Sequence, residues 1–181
     1  MVPKAELTDS GEGRVATTDG WFVLDARDAR WYHADGRPAL CDLEGDVEFR
    51  QLGINITVLG PGDAMGMYHW EADQEDFLVL SGEAILVVEG EERPLRAWDF
   101  VHCPPGTNHI IVGAGNGPCV VVAVGARDKS VGNENWGGYP VDATAARHGA
   151  SVEHETTKPE EAYAHVTKRQ PTRYRAGWLP E

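Results

Sequence analysis

Two histidines and two glutamates are the residues of this chain best suited to bind a metal ion. His69 and Glu71 are two residues apart, and side chains at that spacing in a β-strand point to the same face. Glu75 can rejoin them if the chain turns at residues 72–74, and His109 follows a Pro-Gly turn at the start of an apolar run. Imidazoles and carboxylates suit one divalent ion such as zinc, iron, manganese or nickel.

The surroundings of these side chains decide between a metal ligand and an ordinary polar residue. Strand parity predicts that Glu75 faces inward with Phe77 and Val79, and a carboxylate in an apolar interior needs a cation or a proton. For Glu71 three alternatives stay open: a direct metal ligand, a hydrogen-bond partner of a ligating histidine, or a solvated side chain. An unpaired imidazole at His109 would be hard to accommodate among its apolar neighbours.

Short apolar runs separated by turns supply the elements that position these residues. The first run alternates apolar residues with polar residues and glycine, and residues 89–91 predict a hairpin turn. Turns recur about every 8–12 residues and no long helical pattern interrupts them, which predicts an all-β barrel or sandwich. The predicted strands cover residues 49–59, 77–80, 84–88, 93–95, 100–103, 109–112 and 119–124.

The same residues resemble the two sequence motifs of the cupin superfamily. The residues that carry the resemblance are Gly62, His69, Glu71, Glu75 and Gly82 in the first motif, and Pro104, Gly106 and His109 in the second. The resemblance implies a double-stranded β-helix, the cupin jelly-roll barrel, over residues 49–125. It also implies one divalent metal ion held by His69, Glu75 and His109, with Glu71 as a fourth ligand, and a homodimer.

The first motif departs from the usual family pattern. Glu71 stands where a histidine is usual, and Gly62 is one residue too far from His69. A second register places Tyr68 and Trp70 at the two histidine positions. That register leaves the first motif without a histidine and implies a barrel that binds no metal.

The segments on either side of the barrel are predicted as extensions rather than as further domains. Residues 1–20 predict a flexible arm that is either mobile or draped over the protein, and residues 21–48 predict strands that pack on the barrel or on a partner subunit. Within them, residues 21–24 predict a strand and residues 35–38 a turn. Residues 126–181 predict a C-terminal extension with short helices over 142–149 and 159–165. The aromatic loop at 133–140 is expected to pack on the barrel, with a lid as the alternative.

Composition excludes several classes of function. The net charge of −13 argues against binding to nucleic acid or an anionic membrane, so the expected partner is a small-molecule ligand or substrate. No apolar run approaches the roughly 20 residues that span a bilayer, and the first residues lack the apolar core of a secretion signal, which predicts a cytoplasmic protein. Three scattered cysteines indicate neither a disulfide framework nor a Cys-x-x-Cys zinc site.

Three functions are compatible with these residues. The first is a metalloenzyme that isomerises, epimerises or hydrolyses a small carbonyl, sugar or carboxylate compound, with Glu71 as the base. The second is an iron-dependent dioxygenase with the same ligands, and the third is a non-enzymatic barrel that binds a small ligand. His102 is expected to be a packing or surface residue and not a ligand, and Cys103 a buried apolar side chain or a thiolate near the metal.

Overall fold

The structure is a computed structural model, and it describes residues 1–127 and 136–181. Over these residues the chain forms fourteen strands and two short helices. The strands are β1 (Leu7–Asp9), β2 (Arg14–Ala16), β3 (Trp31–Ala34), β4 (Arg37–Asp42), β5 (Leu52–Leu59), β6 (Trp70–Glu71), β7 (Glu75–Ser81), β8 (Glu83–Val88), β9 (Glu91–Arg96), β10 (Phe100–Cys103), β11 (His109–Ala114), β12 (Cys119–Ala126), β13 (Gly137–Gly138) and β14 (Gln170–Thr172). The helices are α1 (Ala143–Ala146) and α2 (Pro159–Ala162).

Two antiparallel sheets face each other and enclose the main core. The larger sheet has seven strands in the order β10-β7-β12-β5-β4-β3-β14, and the smaller has the order β11-β8-β9. Single bridges from Ala64 to Val112 and from His69 to His109 extend the smaller sheet along β11. The mostly-β antiparallel architecture confirms the all-β fold predicted from the sequence, a double-stranded β-helix barrel.

The space between the sheets is filled by apolar side chains. Alternate residues of each strand point into it, as the period of two in a pleated strand requires. Its buried members are Leu59, Phe77, Val79, Ala84, Leu86, Leu95, Val101, Cys103, Ile111, Cys119, Val121 and Ala123. The interior is therefore apolar around the polar residues that share this face.

Strand β5 turns its more apolar face away from this interior. Ile56 and Val58 pack in a second cluster on the outer face of the large sheet, whereas the buried Thr57 and Leu59 lie on the inner side. The amphipathic pattern of β5 thus predicts the strand correctly, while its apolar face serves the outer layer. The inner face of the strand can carry polar groups.

The outer cluster is built on Trp31, which is fully buried. The Trp31 indole N–H donates to the carbonyl of Ala26 at 2.8 Å, and the ring lies 5.0 Å from that of Trp178 and 5.9 Å from that of Tyr174. Strand β14 pairs with β3 next to this cluster. Strands β3, β4 and β14 therefore extend the large sheet, and Tyr174 and Trp178 of the C-terminal tail pack on its outer face.

The local predictions are mostly confirmed. Helix α1 begins after Asp142, whose carboxylate accepts from the N–H of Ala145 at 2.7 Å, and the helix is followed by Gly149 at φ +65°. Helix α2 begins at Pro159, as expected of a proline in the first turn. The predicted turn at residues 35–38 joins β3 to β4.

One N-terminal prediction is wrong, and the structure agrees with one of the two alternatives given for another. The strand predicted over residues 21–24 is wrong: only Trp21 forms a bridge, to Lys4, and both Trp21 and Val23 are exposed, so no neighbouring strand covers this apolar run. The arm at residues 1–20 is draped over the protein, because β1 and β2 form a hairpin that buries Val15 and Ala16.

Among the described residues, no helix is long and apolar enough to cross a membrane. Residues 133–135 of the predicted aromatic loop lie outside the described residues, and the rest of that loop, with Trp136 and Tyr139, packs on the barrel near β6.

Candidate metal site

Pairing between two chain segments places His69 and His109 side by side. The two residues form an antiparallel bridge in which the N–H of His109 donates to the carbonyl of His69 at 2.8 Å and the reverse bond measures 3.2 Å. Residues that exchange both hydrogen bonds project their side chains to the same face of a sheet. The two imidazole rings accordingly lie 5.0 Å apart.

Glu75 completes the group from the opposite sheet. It begins β7, and the inward positions of Phe77 and Val79 on the same strand fix its direction. Its Oε2 atom lies 3.3 Å from Nε2 of His109 and 3.6 Å from Nε2 of His69. One donor atom from each of the three residues lies within 4.8 Å of the other two.

The hydrogen bonds of the two histidines leave the facing nitrogens available. Nδ1 of His69 lies 2.8 Å from the carbonyl of Met67, and Nδ1 of His109 lies 3.0 Å from the carbonyl of Thr107. A carbonyl only accepts, so both Nδ1 atoms carry a hydrogen, and each Nε2, which faces Glu75, is the ring atom left to bind a metal ion. This second hydrogen bond is the arrangement that orients histidine ligands in metal sites.

Two polar atoms at the centre of the group lack any partner of their own. Oε2 of Glu75 and Nε2 of His109 are buried without a hydrogen bond among the described residues. Buried polar atoms are nearly always satisfied, and one cation between these two atoms would satisfy both. Donors about 2.1 Å from one metal ion lie about 3.0–3.4 Å apart, close to the observed separations. The three residues fit a divalent metal ion.

Burial and mutual charge shift the pKa values of the group in opposite directions. Burial lowers the pKa of His109, but Cys103 and the Glu75 carboxylate outweigh burial and raise it to about 10. Burial and the charge of His109 lower the pKa of His69. In the metal-free protein the proton that balances Glu75 therefore resides on His109, and a metal ion would have to displace it.

Glu71 lies beside the group of three and not within it. Its Oε1 atom is 3.7 Å from Nε2 of His69, and its side chain is 31% exposed, compared with 15% for Glu75. Burial and the charge of Glu75 raise the pKa of Glu71 to about 7. This position gives the carboxylate access both to the histidine and to the open space above it.

The register with Tyr68 and Trp70 at the histidine positions is wrong. Tyr68 points to the outer face of the small sheet, where it packs with Val87 and Ile110. Its hydroxyl accepts from the N–H of Gly90 at 3.1 Å. Since His69 has the opposite parity, it is the histidine that faces the interior.

The two neighbouring polar residues of β10 lie on opposite faces of the sheet. His102 points outward, is half exposed, and places Nδ1 2.7 Å from Asp76 Oδ1, so its prediction as a surface residue is confirmed. Cys103 is buried in the barrel core and is close enough to His109 to raise its pKa. Both alternatives for Cys103, as core filling and as a neighbour of the site, agree with that position.

Two tyrosines border the site, and motif spacing could not have identified either of them. The Tyr139 ring lies 5.9 Å from that of His69, and the Tyr163 ring contacts Tyr139 edge-on at 5.8 Å. The Tyr163 hydroxyl accepts from the N–H of Met67 at 3.0 Å. Burial, with the nearby Tyr163 and Glu71, raises the pKa of Tyr139. In the sequence they are marked only as aromatic residues, one in the loop at 133–140 and one in the predicted helix at 159–165.

A cavity of about 1090 Å³ lies beside the site. Glu71 and Glu75 line one side, together with Met65 and Asn55 from the barrel. The other side is formed by β4 and by residues 163–169 of the C-terminal tail. The cavity is large enough for a small metabolite beside a metal ion.

The comparisons with known proteins agree on the central part of the chain. Residues 55–125 match the family model described as Cupin domain. No curated protein matches the chain.

Several solved structures are similar to the chain. The polyketide cyclase RemF from Streptomyces resistomycificus is 15% identical over 60% of this chain and 80% of its own, with a TM-score of 0.52. An RmlC-like cupin from Shewanella frigidimarina is 18% identical over 59% and 90%, with a TM-score of 0.51. A sugar phosphate isomerase from a cupin superfamily, from Silicibacter pomeroyi, is 26% identical over 57% and 62%, with a TM-score of 0.46. The first two likenesses show the fold alone.

Proposed function

Since residues 55–125 of this chain form a cupin domain, we propose that the protein is a divalent-metal-dependent enzyme that acts on a small polar substrate. His69, Glu75 and His109 hold the metal ion. The observation that carries the proposal is the pair of buried, unsatisfied atoms, Oε2 of Glu75 and Nε2 of His109, 3.3 Å apart. Without a metal ion, the proton on His109 is the compensation left for the buried Glu75 carboxylate.

The remaining polar residues of the cavity suit proton transfer. When bound, the metal ion supplies Lewis acidity that polarises a carbonyl or hydroxyl oxygen of the substrate. The Glu71 carboxylate lines the same cavity. There it takes a proton from the substrate carbon next to the polarised group and returns it, as an isomerase or epimerase requires. Glu71 acts as a base in this proposal because it lies outside the group of three donors.

The same donor set favours a second candidate function. Two histidines and one carboxylate that leave further coordination positions open are the ligands of non-haem iron oxygenases. The three-membered group of His69, Glu75 and His109 is such a set. An iron-dependent dioxygenase is therefore the alternative to Lewis-acid chemistry.

Metal content is the first test of both functions. We expect elemental mass spectrometry of the purified protein to give close to one divalent ion per chain, and a His109→Ala variant to lose it. A zinc, nickel or manganese protein that consumes no oxygen supports Lewis-acid chemistry, whereas oxygen consumption with ferrous iron supports the dioxygenase. Failure of the wild type to take up any of these ions after reconstitution would leave a ligand-binding barrel.

The quaternary structure and the location are separate questions. The homodimer and the cytoplasmic location expected from the sequence stay predictions. Light scattering on the purified protein tests the first of them.

A further inference from the structure

Two arginines, one from the segment before residues 55–125 and one from the segment after it, line the same cavity as Glu71 and Glu75. Arg37 begins β4, and Arg169 immediately precedes β14, which pairs with β3 beside β4. Both side chains line the cavity that also contains Glu71 and Glu75. Both lie outside residues 55–125, so the cupin domain itself does not supply them.

The contacts of these two arginines leave much of each guanidinium unused. Nε of Arg169 donates to the carbonyl of Pro38 at 2.8 Å, and Nη1 of Arg37 donates to the carbonyl of Thr167 at 3.4 Å. The Arg37 guanidinium also lies 5.9 Å from the centre of the Tyr163 ring. Within residues 1–127 and 136–181, neither arginine lies within 4.0 Å of a carboxylate oxygen. The Nη groups of Arg169 remain free to donate.

Arg127, a third arginine on the same cavity, shows what a structural arginine looks like in this protein. Its two Nη atoms donate to the two carboxylate oxygens of Glu44 at 2.6 and 2.7 Å. Nη1 also donates to the carbonyl of Phe49. Its charge is therefore neutralised by a buried partner, whereas the charges of Arg37 and Arg169 are not. The two arginines lack a carboxylate partner even though the chain has a net charge of −13 and so an excess of carboxylates.

Repulsion between the two guanidinium groups strengthens the case for a bound anion. Burial and the nearby charge of Arg37 lower the pKa of Arg169 to about 10. An oxyanion between them would remove the repulsion and accept several of the free N–H groups, as the planar fork of arginine favours. The nearby carboxylates of the cavity wall do not pair with these two arginines. Asp42 lies 3.9 Å from Arg30, and Glu160 is exposed.

We propose that Arg37 and Arg169 form an oxyanion subsite that binds a carboxylate or phosphate group of the substrate. Resting on the proposed function, the subsite holds the anionic end of the substrate while its reacting carbon lies near Glu71 and the metal-binding residues. The substrate class is then a small metabolite with a carbonyl or hydroxyl group at one end and an oxyanion at the other. Neutral compounds of the same size bind weakly, because they leave both arginines unpaired.

The test is titration calorimetry with inorganic phosphate and, separately, with acetate, using protein freed of metal by EDTA and dialysis. The wild type should bind at least one of the two anions, and the anion that binds identifies phosphate or carboxylate as the preferred group. Arg37→Met and Arg169→Met should each weaken that binding at least about tenfold. Arg93→Met, which removes an exposed positive charge on β9, is the matched control and should change it less than about twofold.

The two arginine variants are not equally safe structurally. Arg169→Met loses the bond to the Pro38 carbonyl, which ties the tail to β4, whereas Arg37→Met loses only a 3.4 Å bond and a ring contact. Arg37→Met therefore tests the subsite even if Arg169→Met does not fold. Arg37→Lys, which keeps the charge but not the fork, should show an intermediate affinity.

The outcomes separate this inference from the proposed function. An anion affinity that is unchanged in Arg37→Met, or no binding to the wild type, overturns the subsite. Anion binding that disappears in His109→Ala but persists in Arg37→Met also overturns it, because the anion then sits among the metal-binding residues. The metal content of the same preparations reports on the proposed function alone, since the anion titration uses metal-free protein.

Discussion

Replacement of Glu75 by glutamine tests the metal site with little change of shape. The side chain is largely buried, and its Oε2 atom faces both histidines without a hydrogen bond. Glutamine keeps the length and the planar end of the side chain but removes the negative charge that a divalent ion needs. We expect Glu75→Gln to fold, since glutamine keeps the shape of the side chain and His109 can give up its proton once the carboxylate is gone, and to lose the stabilisation that metal gives.

The size of the effect follows from linkage. A metal ion that binds only the folded chain stabilises it by about 2.7 kcal/mol at a free concentration of about 100 Kd. For a chain of 181 residues this corresponds to a rise in Tm of about 5–11 °C. Loss of a residue that only supports a ligand weakens metal binding by up to about 100-fold. Glu75 is the only carboxylate among the three candidate ligands, so its loss should weaken metal binding by at least about 100-fold. At the same metal concentration the stabilisation then falls to about 0.4 kcal/mol, or about 1–2 °C.

The assay is differential scanning fluorimetry of metal-free protein with and without each divalent ion. Asp76→Asn is the matched control, because Asp76 is the next residue, points to the other face of β7 and pairs with His102. We expect this variant to keep the full metal-dependent rise in Tm. Equal rises in the wild type and in Glu75→Gln would refute the assignment of Glu75 as a ligand, and so the reasoning from its unsatisfied oxygen.

Three further predictions concern protonation and stability. Because the pKa of His109 is raised to about 10 in the metal-free protein, metal binding releases its proton. The association constant for zinc should therefore rise about tenfold per pH unit near neutrality. A pH-independent constant in zinc titrations would contradict this. Gly82→Ala should cost about 1–3 kcal/mol in urea unfolding, since φ is +78° and the new Cβ would lie 2.4 Å from the Pro118 carbonyl oxygen. Glu44→Gln should cost about 1–3 kcal/mol by weakening the paired bonds to Arg127, and an unchanged unfolding midpoint would argue against it.

Local pattern was sufficient for the strands and for much of the site. The same-face spacing of His69 and Glu71, and the parity of Glu75 with Phe77, are properties of a single strand, and they predicted which side chains face inward. The proximity of His69 to His109 is different in kind, because it depends on pairing between distant segments. There the resemblance to cupin motifs supplied what spacing alone could not.

What the sequence did not reveal depends on contacts between the two ends of the chain. The apolar face of β5 could be assigned to an inner or an outer layer only after Trp31 and the tail were seen to cover it. Likewise, nothing in the neighbours of Arg37 or Arg169 indicates that they share a cavity. Strand pairing over such separations is decided by the total burial achieved, not by local preference.

The two halves of the cavity have different origins, and this has a consequence for specificity. The candidate metal ligands lie within residues 55–125, which match the family model, whereas Arg37, Arg169 and Tyr163 come from the segments that precede and follow that region. Changes in the flanking segments can therefore alter which substrate the cavity accepts while the proposed metal ligands stay the same. Because the Arg169 bond to Pro38 joins the two flanking segments, both must be folded together for the oxyanion subsite to exist. Substrate selection in this protein should accordingly be more sensitive to changes in the tail than metal binding is.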